Sequence, residues 1–358
     1  MTFVKDRNRA GRPRLCQERK LGGMKMAQIT ARENYLRILR GEIPEYLPTM
    51  MEPCKEGAKD HLLTPIAAPD GPVYSPWGVR FVGSPDNNFG AMPEPGFIIL
   101  DDITRWRDVI RNPDMSGFDW EAHYKDPEVF GEKDRVNKVI MTGGGDYFQT
   151  LVSFMGFENA LLAMYEEPEE VMALFDYLSE YFLLVVKNAI YYTKPDVYML
   201  ADDTAAQQAP FFSPSMYREL LEPFYRRHTE LALDAGMLID HHNCGRCEDF
   251  IGEWLDMGIC SWNPAQTCND LKGIKEKYGD RLTMQGCWDN TGYISSLECS
   301  DEELTEALYD YVDTFAPGGR FVFMAGLHGD RNDERFIRKQ KLIDDFYRDY
   351  AKDWYKTH

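Results

Sequence analysis

From Val139 onward, short apolar runs alternate with long helical stretches, and this alternation constrains the chain more than any other feature. Parallel strands need a crossover long enough to hold a helix, so repeated βα units predict a mostly parallel sheet with helices outside it. The expected strands are Tyr46–Met51, Val139–Thr142, Val197–Ala201, Met237–His242, Ile259–Trp262, Leu282–Gly286 and Phe321–Ala325, with an eighth in the stretch 79–110. Helical patterns occupy Gly156–Tyr165, Pro168–Tyr192, Pro214–Ala235, Cys247–Met257, Asp270–Tyr278, Asp301–Thr314 and Asp333–Tyr355. No internal repeat or low-complexity segment appears. Seven or eight such strands point to a (β/α)8 barrel (a TIM barrel) over an open sheet, because no Gly-rich dinucleotide turn follows the first strand. Gly143, Gly144, Gly145 and Asp146 lack the rest of a phosphate-binding fingerprint and read as a tight turn.

Residues 26–358 are expected to form this barrel as a single domain. Residues 1–25 are rich in Lys and Arg without apolar periodicity, and read as a disordered tail or an over-extended start. The first helix opens at Thr30 with Glu33 three positions on, a capping-box spacing, and closes at Gly41. The stretch 43–95 is rich in Pro and Gly, which suits loops and short hairpins on the barrel rim.

Hydrophobic residues make up 44% of the chain, enough for a large core, so global disorder is excluded. With 40 Lys+Arg against 59 Asp+Glu the net charge is −19, a poor match for nucleic acid or an anionic membrane surface. No apolar run reaches the roughly 20 residues of a membrane span. The eight cysteines form no disulfide framework, and with no signal-peptide pattern a cytoplasmic setting with free thiols is expected. Five of them fall between 244 and 287, close to histidines, which raises the prospect of a metal site.

In an α/β barrel the chemistry sits at the C-terminal ends of the strands. Those ends carry Asp202 and Asp203; His241, His242, Cys244 and Cys247; Cys287, Trp288 and Asp289; and His328 and Asp330. His242 and Cys244 are two apart, so on an extended strand both point to one face, with Asp240 and Leu238, and can share a Zn²⁺. His241 then points to the opposite face. Cys247 makes a C-x-x-C with Cys244, but no second such pair exists, which excludes a structural Cys₄ site. Cys287 and His328 are the candidates for a third ligand. Asp202 and Asp203 also point to opposite faces, so one of the two is expected to act at the mouth. Trp77, Phe81, Tyr147, Phe148, Phe211, Phe212 and Trp288 fall near loops, as core or as pocket lining.

At these residues the chain resembles the uroporphyrinogen decarboxylase superfamily, and within it the corrinoid-dependent methyltransferase branch. The resemblance runs over roughly residues 30–355. It includes Trp77-Gly78-Val79, Glu167-Pro168-Glu169, Asp202-Asp203 followed by Ser213-Pro214, then His242-Asn243-Cys244-Gly245, Asn263-Pro264-x-Gln266 and Gln285-Gly286. The true decarboxylases carry an Arg-Gln-Ala-Gly-Arg segment after the first strand. Here Met51-Glu52-Pro53-Cys54-Lys55-Glu56-Gly57 stands there, without the arginines that hold the substrate's carboxylates. The resemblance therefore implies a zinc methyltransferase acting between a small methylated donor, such as a methoxylated aromatic or a methylamine-like compound, or a thiol, and a corrinoid. The corrinoid is implied to sit on a separate carrier protein, and a homodimer is left open. The ligand set implied is His242, Cys244 and a later Cys. Where those relatives place that Cys, this chain reads Ala325-Gly326-Leu327-His328-Gly329, and a Cys appears one strand earlier, at Cys287. Some demethylase members use two well-separated cysteines, which Cys247 and Cys287 match. Asp202, Asp203 or His328 would then protonate the leaving group. The alternatives are a decarboxylase of a smaller acid and a non-catalytic metal- or partner-binding barrel.

Overall fold

A computed structural model describes residues 29–50, 56–57, 62–63, 65, 71–84 and 90–358. The 1–25 tail lies outside these residues. The first element among the described residues is helix α1 (Ala31–Arg40), where the Thr30 hydroxyl accepts the Glu33 N–H at 3.1 Å and Gly41 closes the helix at φ 83°. Glu33 turns to Arg40 instead of completing the box. A three-stranded antiparallel sheet follows: β1 (Val73–Tyr74), β2 (Arg80–Ser84) and β3 (Gly90–Pro93). Two short helices, α2 (Trp106–Val109) and α3 (Trp120–Lys125), lead into the barrel.

Six parallel strands then pair in chain order: β4 (Met141–Gly143), β5 (Val197–Ala201), β6 (Leu238–His242), β7 (Ser261–Ala265), β8 (Thr283–Gly286) and β9 (Phe321–Phe323). Each edge of this sheet meets a parallel segment from the N-terminal part. Thr49 bridges Phe323 on β9, and Glu56 bridges Ile140 at the foot of β4. These two segments stand at the two edges, as the first strands of a (β/α)8 barrel do. Among the described residues, the stretch 79–110 contributes no barrel strand; its β2 and β3 lie in the antiparallel rim sheet.

The outer helices are α4 (Tyr147–Met155), α5 (Phe157–Glu166), α6 (Pro168–Thr193), α7 (Pro214–Leu220), α8 (Glu222–Asp234), α9 (Ile251–Asp256), α10 (Leu271–Tyr278), α11 (Asp301–Phe315), α12 (Glu334–Phe346) and α13 (Trp354–Thr357). The expected helix over 214–235 is two helices because Pro223 lacks an N–H and its ring crowds the carbonyl one turn back. Likewise 333–355 breaks after Phe346 into a π turn. Helix α4 has no counterpart among the sequence expectations. Its start follows the glycine turn, where Gly145 sits at φ 93°.

Helix α1 closes the floor of the barrel. Tyr35, Leu36, Ile38 and Leu39 pack with Val139 just before β4, Val197 at the start of β5 and Val322 on β9. The larger core joins the upper strands to the helix layer, and among the described residues no helix is long and apolar enough to cross a membrane.

Candidate metal centre

The C-terminal ends of β5 and β6 bring three ligand atoms together. Asp203, His242 and Cys244 each offer one donor, and all three lie within 4.8 Å of one another, each half-buried. Cys244 Sγ is 3.7 Å from His242 Nε2, and His242 Nε2 is 4.0 Å from Asp203 Oδ1. Zinc bonds of about 2.0–2.3 Å in a tetrahedron put neighbouring ligands roughly 3.3–3.7 Å apart, so His242 needs at most a few tenths of an ångström of contraction toward each of the other two. One imidazole, one thiol and one carboxylate suit zinc, and three ligands leave a fourth position for a substrate.

The tautomer of His242 is fixed by the protein. The amide of Asn263 donates from Nδ2 to buried Asp240 at 2.8 Å, which orients its Oδ1 toward His242 Nδ1, 2.9 Å away. That oxygen can only accept, so His242 carries its proton on Nδ1 and turns the Nε2 lone pair toward Cys244 and Asp203. Asp240 is held in turn by Gln285, whose Nε2 donates to it at 2.9 Å. The amide oxygen of Gln285 accepts from Tyr35 Oη on α1 at 2.9 Å.

Backbone contacts seat the other two ligands. The Cys244 N–H donates to Asp203 Oδ1 at 2.7 Å, tying the two strand ends together. Gly245 sits at φ 89°, where a Cβ would lie 2.4 Å from the Ala205 carbonyl oxygen, so only glycine lets the 244–246 turn lie against this loop. Asn243 braces the same loop by two bonds to Thr204. Burial and the Asp203 carboxylate push the Cys244 thiol up to about 12, so its thiolate needs a cation beside it.

The remaining candidates lie elsewhere. Asp202 is buried, and its carboxylate accepts from the Phe148 N–H, the Gln149 N–H and Tyr225 Oη at 2.8, 3.0 and 2.6 Å. It anchors α4 to α8, and burial raises its carboxyl well above the usual range. His241 is buried on the outer face of β6 against Trp254, its Nδ1 bonded to the Leu200 carbonyl. Cys247 is buried, its thiol facing the Asn243 and Gly245 carbonyls. Cys287 is buried in the main core, with Lys275 and Tyr311 as electrostatic neighbours, and is not among the three convergent ligands. His328 is exposed after β9, 3.3 Å from the Gly292 carbonyl, and is not among them either. Asp203 is instead the residue that lies with His242 and Cys244. Asn263 and Gln285 stand in the sequence only among the motifs of the family resemblance, with no role at the site assigned to them.

Asp240, His242 and Gly245 also stand in the Asp-x-His-x-x-Gly spacing of cobalamin-binding loops. Here Asp240 is buried and bonded to two amides, and the turn packs on the 205–206 loop. The expectation of a separate corrinoid carrier therefore has only the family resemblance behind it.

Beside the triad lies a cavity of about 380 Å³ lined by Cys244, Gln266, Cys268, Trp288 and Asn290, among others. The family model described as uroporphyrinogen decarboxylase (URO-D) matches residues 139–329, which span the six strands and all three ligands. No curated protein sequence matches. Among solved structures, a methyltransferase from Methanosarcina mazei superposes with a TM-score of 0.53 at 14% identity, covering 89% of this chain and 100% of that one. At that identity the likeness is one of fold.

Proposed function

This chain belongs to the uroporphyrinogen decarboxylase family, and from that premise we propose that it is a zinc-dependent methyltransferase. It moves a methyl group between a small methylated compound or a thiol and a corrinoid on a separate carrier protein. The observation that carries the reading is the convergence of Asp203, His242 and Cys244 at the barrel mouth. A zinc ion there would lower the basicity of a heteroatom or thiol bound at its open position. The residues of the chain do the rest. His242 presents Nε2 because Asn263 holds its other nitrogen. Asp203 sets the height of Cys244 through the backbone N–H. The neighbouring cavity admits the substrate, with Trp288 as an apolar wall. As the methyl group leaves, the bonding pair stays on its heteroatom, and a solvent proton reaching through the cavity neutralises it. Decarboxylation of a tetrapyrrole is disfavoured because Met51–Gly57 has no arginine to clamp carboxylates.

The test combines metal analysis with a donor screen. Purified protein should hold about one zinc, and mixing it with cob(I)alamin and a panel of methoxy, methylamino and thiol compounds should change the corrinoid spectrum. A zinc-loaded protein that leaves the spectrum unchanged across the panel, while releasing CO₂ from carboxylated pyrroles, overturns the reading.

A further inference from the structure

A second pocket opens at the end of β4, between the rim sheet and the start of α4. It has a volume of about 200 Å³, and Ser75, Trp77, Phe81, Pro93, Asp146 and Gln149 are among its walls. Its size suits a ligand of few heavy atoms. Asp146 stands at the head of α4 but does not cap it; no backbone N–H of the helix bonds to its carboxylate. Among the described residues no cation pairs with it, and loss of water is the main influence on its carboxyl, pushing it up to about 6. Its own backbone N–H bonds to the carboxylate, but among the described residues no opposite charge offsets the lost water, and a cation in the pocket would do so. The other walls carry no charge: aromatic and apolar side chains, Trp77, Phe81 and Pro93 among them, alternate with the polar Ser75, Gln149, Thr150 and Ser153. Trp77 is fixed by edge-on contacts to Phe154, Tyr181 and Phe182 and by its N–H to Asn112. Phe81 stands on β2, half-buried.

We propose that this pocket binds a small organic cation, a methylated ammonium group, with Asp146 as its counter-ion and Trp77 and Phe81 as its aromatic walls. A methylated ammonium carries weak hydration and a diffuse charge, and it gains from aromatic faces as well as from a carboxylate. A neutral ether would leave Asp146 unmatched, and an anion would be repelled. The pocket adjoins the candidate metal centre through Gln149, which lines it and donates from Nε2 to the Asp203 carbonyl oxygen at 2.8 Å. The inference thus deepens the methyltransferase reading by committing the methylated compound to the cationic class, and it rests on that reading for the identity of the ligand as substrate. Binding itself is independent of metal.

The experiment is calorimetric titration of the full chain, zinc-free and zinc-loaded, with tetramethylammonium and with its uncharged analogue 3,3-dimethyl-1-butanol. Tetramethylammonium should bind in both metal states, and the alcohol should bind on the order of tenfold more weakly or not at all. Asp146→Asn, which removes the charge at constant shape, should weaken the cation on the order of tenfold with the thermal midpoint preserved. If that variant does not fold, Phe81→Ala must weaken the cation instead. No binding, equal binding of the alcohol, or affinity untouched by the variant that folds overturns the proposal. Cation binding without methyl transfer to cob(I)alamin would leave this site standing and sink the methyltransferase reading. Transfer from neutral donors by a protein that ignores tetramethylammonium would do the reverse.

Discussion

Asn263 stands between Asp240 and His242, giving a hydrogen bond to one at 2.8 Å and taking one from the other at 2.9 Å. One amide thereby fixes the tautomer of the imidazole that, under the proposed reading, ligates zinc. Supporting residues of this kind are worth 10–100-fold in metal affinity. Asn263→Ala should therefore weaken zinc binding by about that factor with all three ligands intact, read by competition with a chromophoric chelator. Wild-type affinity in the variant would show that His242 needs no such support.

The choice of third ligand separates cleanly. Asp203→Asn and Cys244→Ala should each strip zinc from the purified protein, whereas Cys287→Ala and His328→Ala should retain about one per chain, measured by elemental analysis. Cys287 lies in the core and His328 is exposed beside Gly292, so neither reaches the triad. Loss of zinc in Cys287→Ala at unchanged stability would reinstate it as a ligand.

Asp202 should prove structural. Replacing it with alanine leaves two backbone N–H groups of α4 and the Tyr225 hydroxyl without their acceptor. A loss of about 3 kcal/mol in urea unfolding is expected, with zinc content preserved. An inactive variant of wild-type stability would restore Asp202 to the chemistry.

His228 gives the fold an acid-side limit. Its ring is fully buried between the hydroxyls of Tyr147 and Tyr198, and burial lowers it to about 3. The unfolded chain takes up its proton near pH 6.5, the folded chain only near 3, so the unfolded state binds more protons in between. Stability is present above 6.5 and falls as pH drops toward 3. Between pH 7 and 5 the wild type should lose about 2 kcal/mol more than His228→Gln, by urea titration at each pH. Parallel losses in the two proteins would mean that His228 is protonated in the fold.

Much of this was readable from the residues, because the strand and helix periods are set by which side chains must be buried. The run 197–201 is a strand at the expected bounds, and His242 and Cys244 share a face as a two-residue repeat requires. What periodicity cannot show is pairing across strands. Asp203 joins the ligands because β5 and β6 lie in register, with Ala201 opposite His242. Cys287 looked equivalent because it also ends a strand, but at φ 62° it leaves the β8 direction and packs inside the core. The stretch 79–110, expected to hold an eighth barrel strand, instead places β2 and β3 in the rim sheet. Nothing in a single run of residues says that its partners would be antiparallel neighbours on the rim.

The bond from Tyr35 to Gln285 joins residues 250 positions apart, and Gln285 reaches on to Asp240, which holds Asn263 and through it His242. Asp203, His242 and Cys244 come from two neighbouring strand ends, but the scaffold that steadies the imidazole runs from the first helix to the eighth strand. During synthesis the ribosome must release β8 before that scaffold can assemble. Until then Asn263 meets His242 and Asp240 without Gln285 and Tyr35 behind them. Under the proposed reading, metal capture with native geometry is a late event for each molecule, timed by the return of the chain to its first helix.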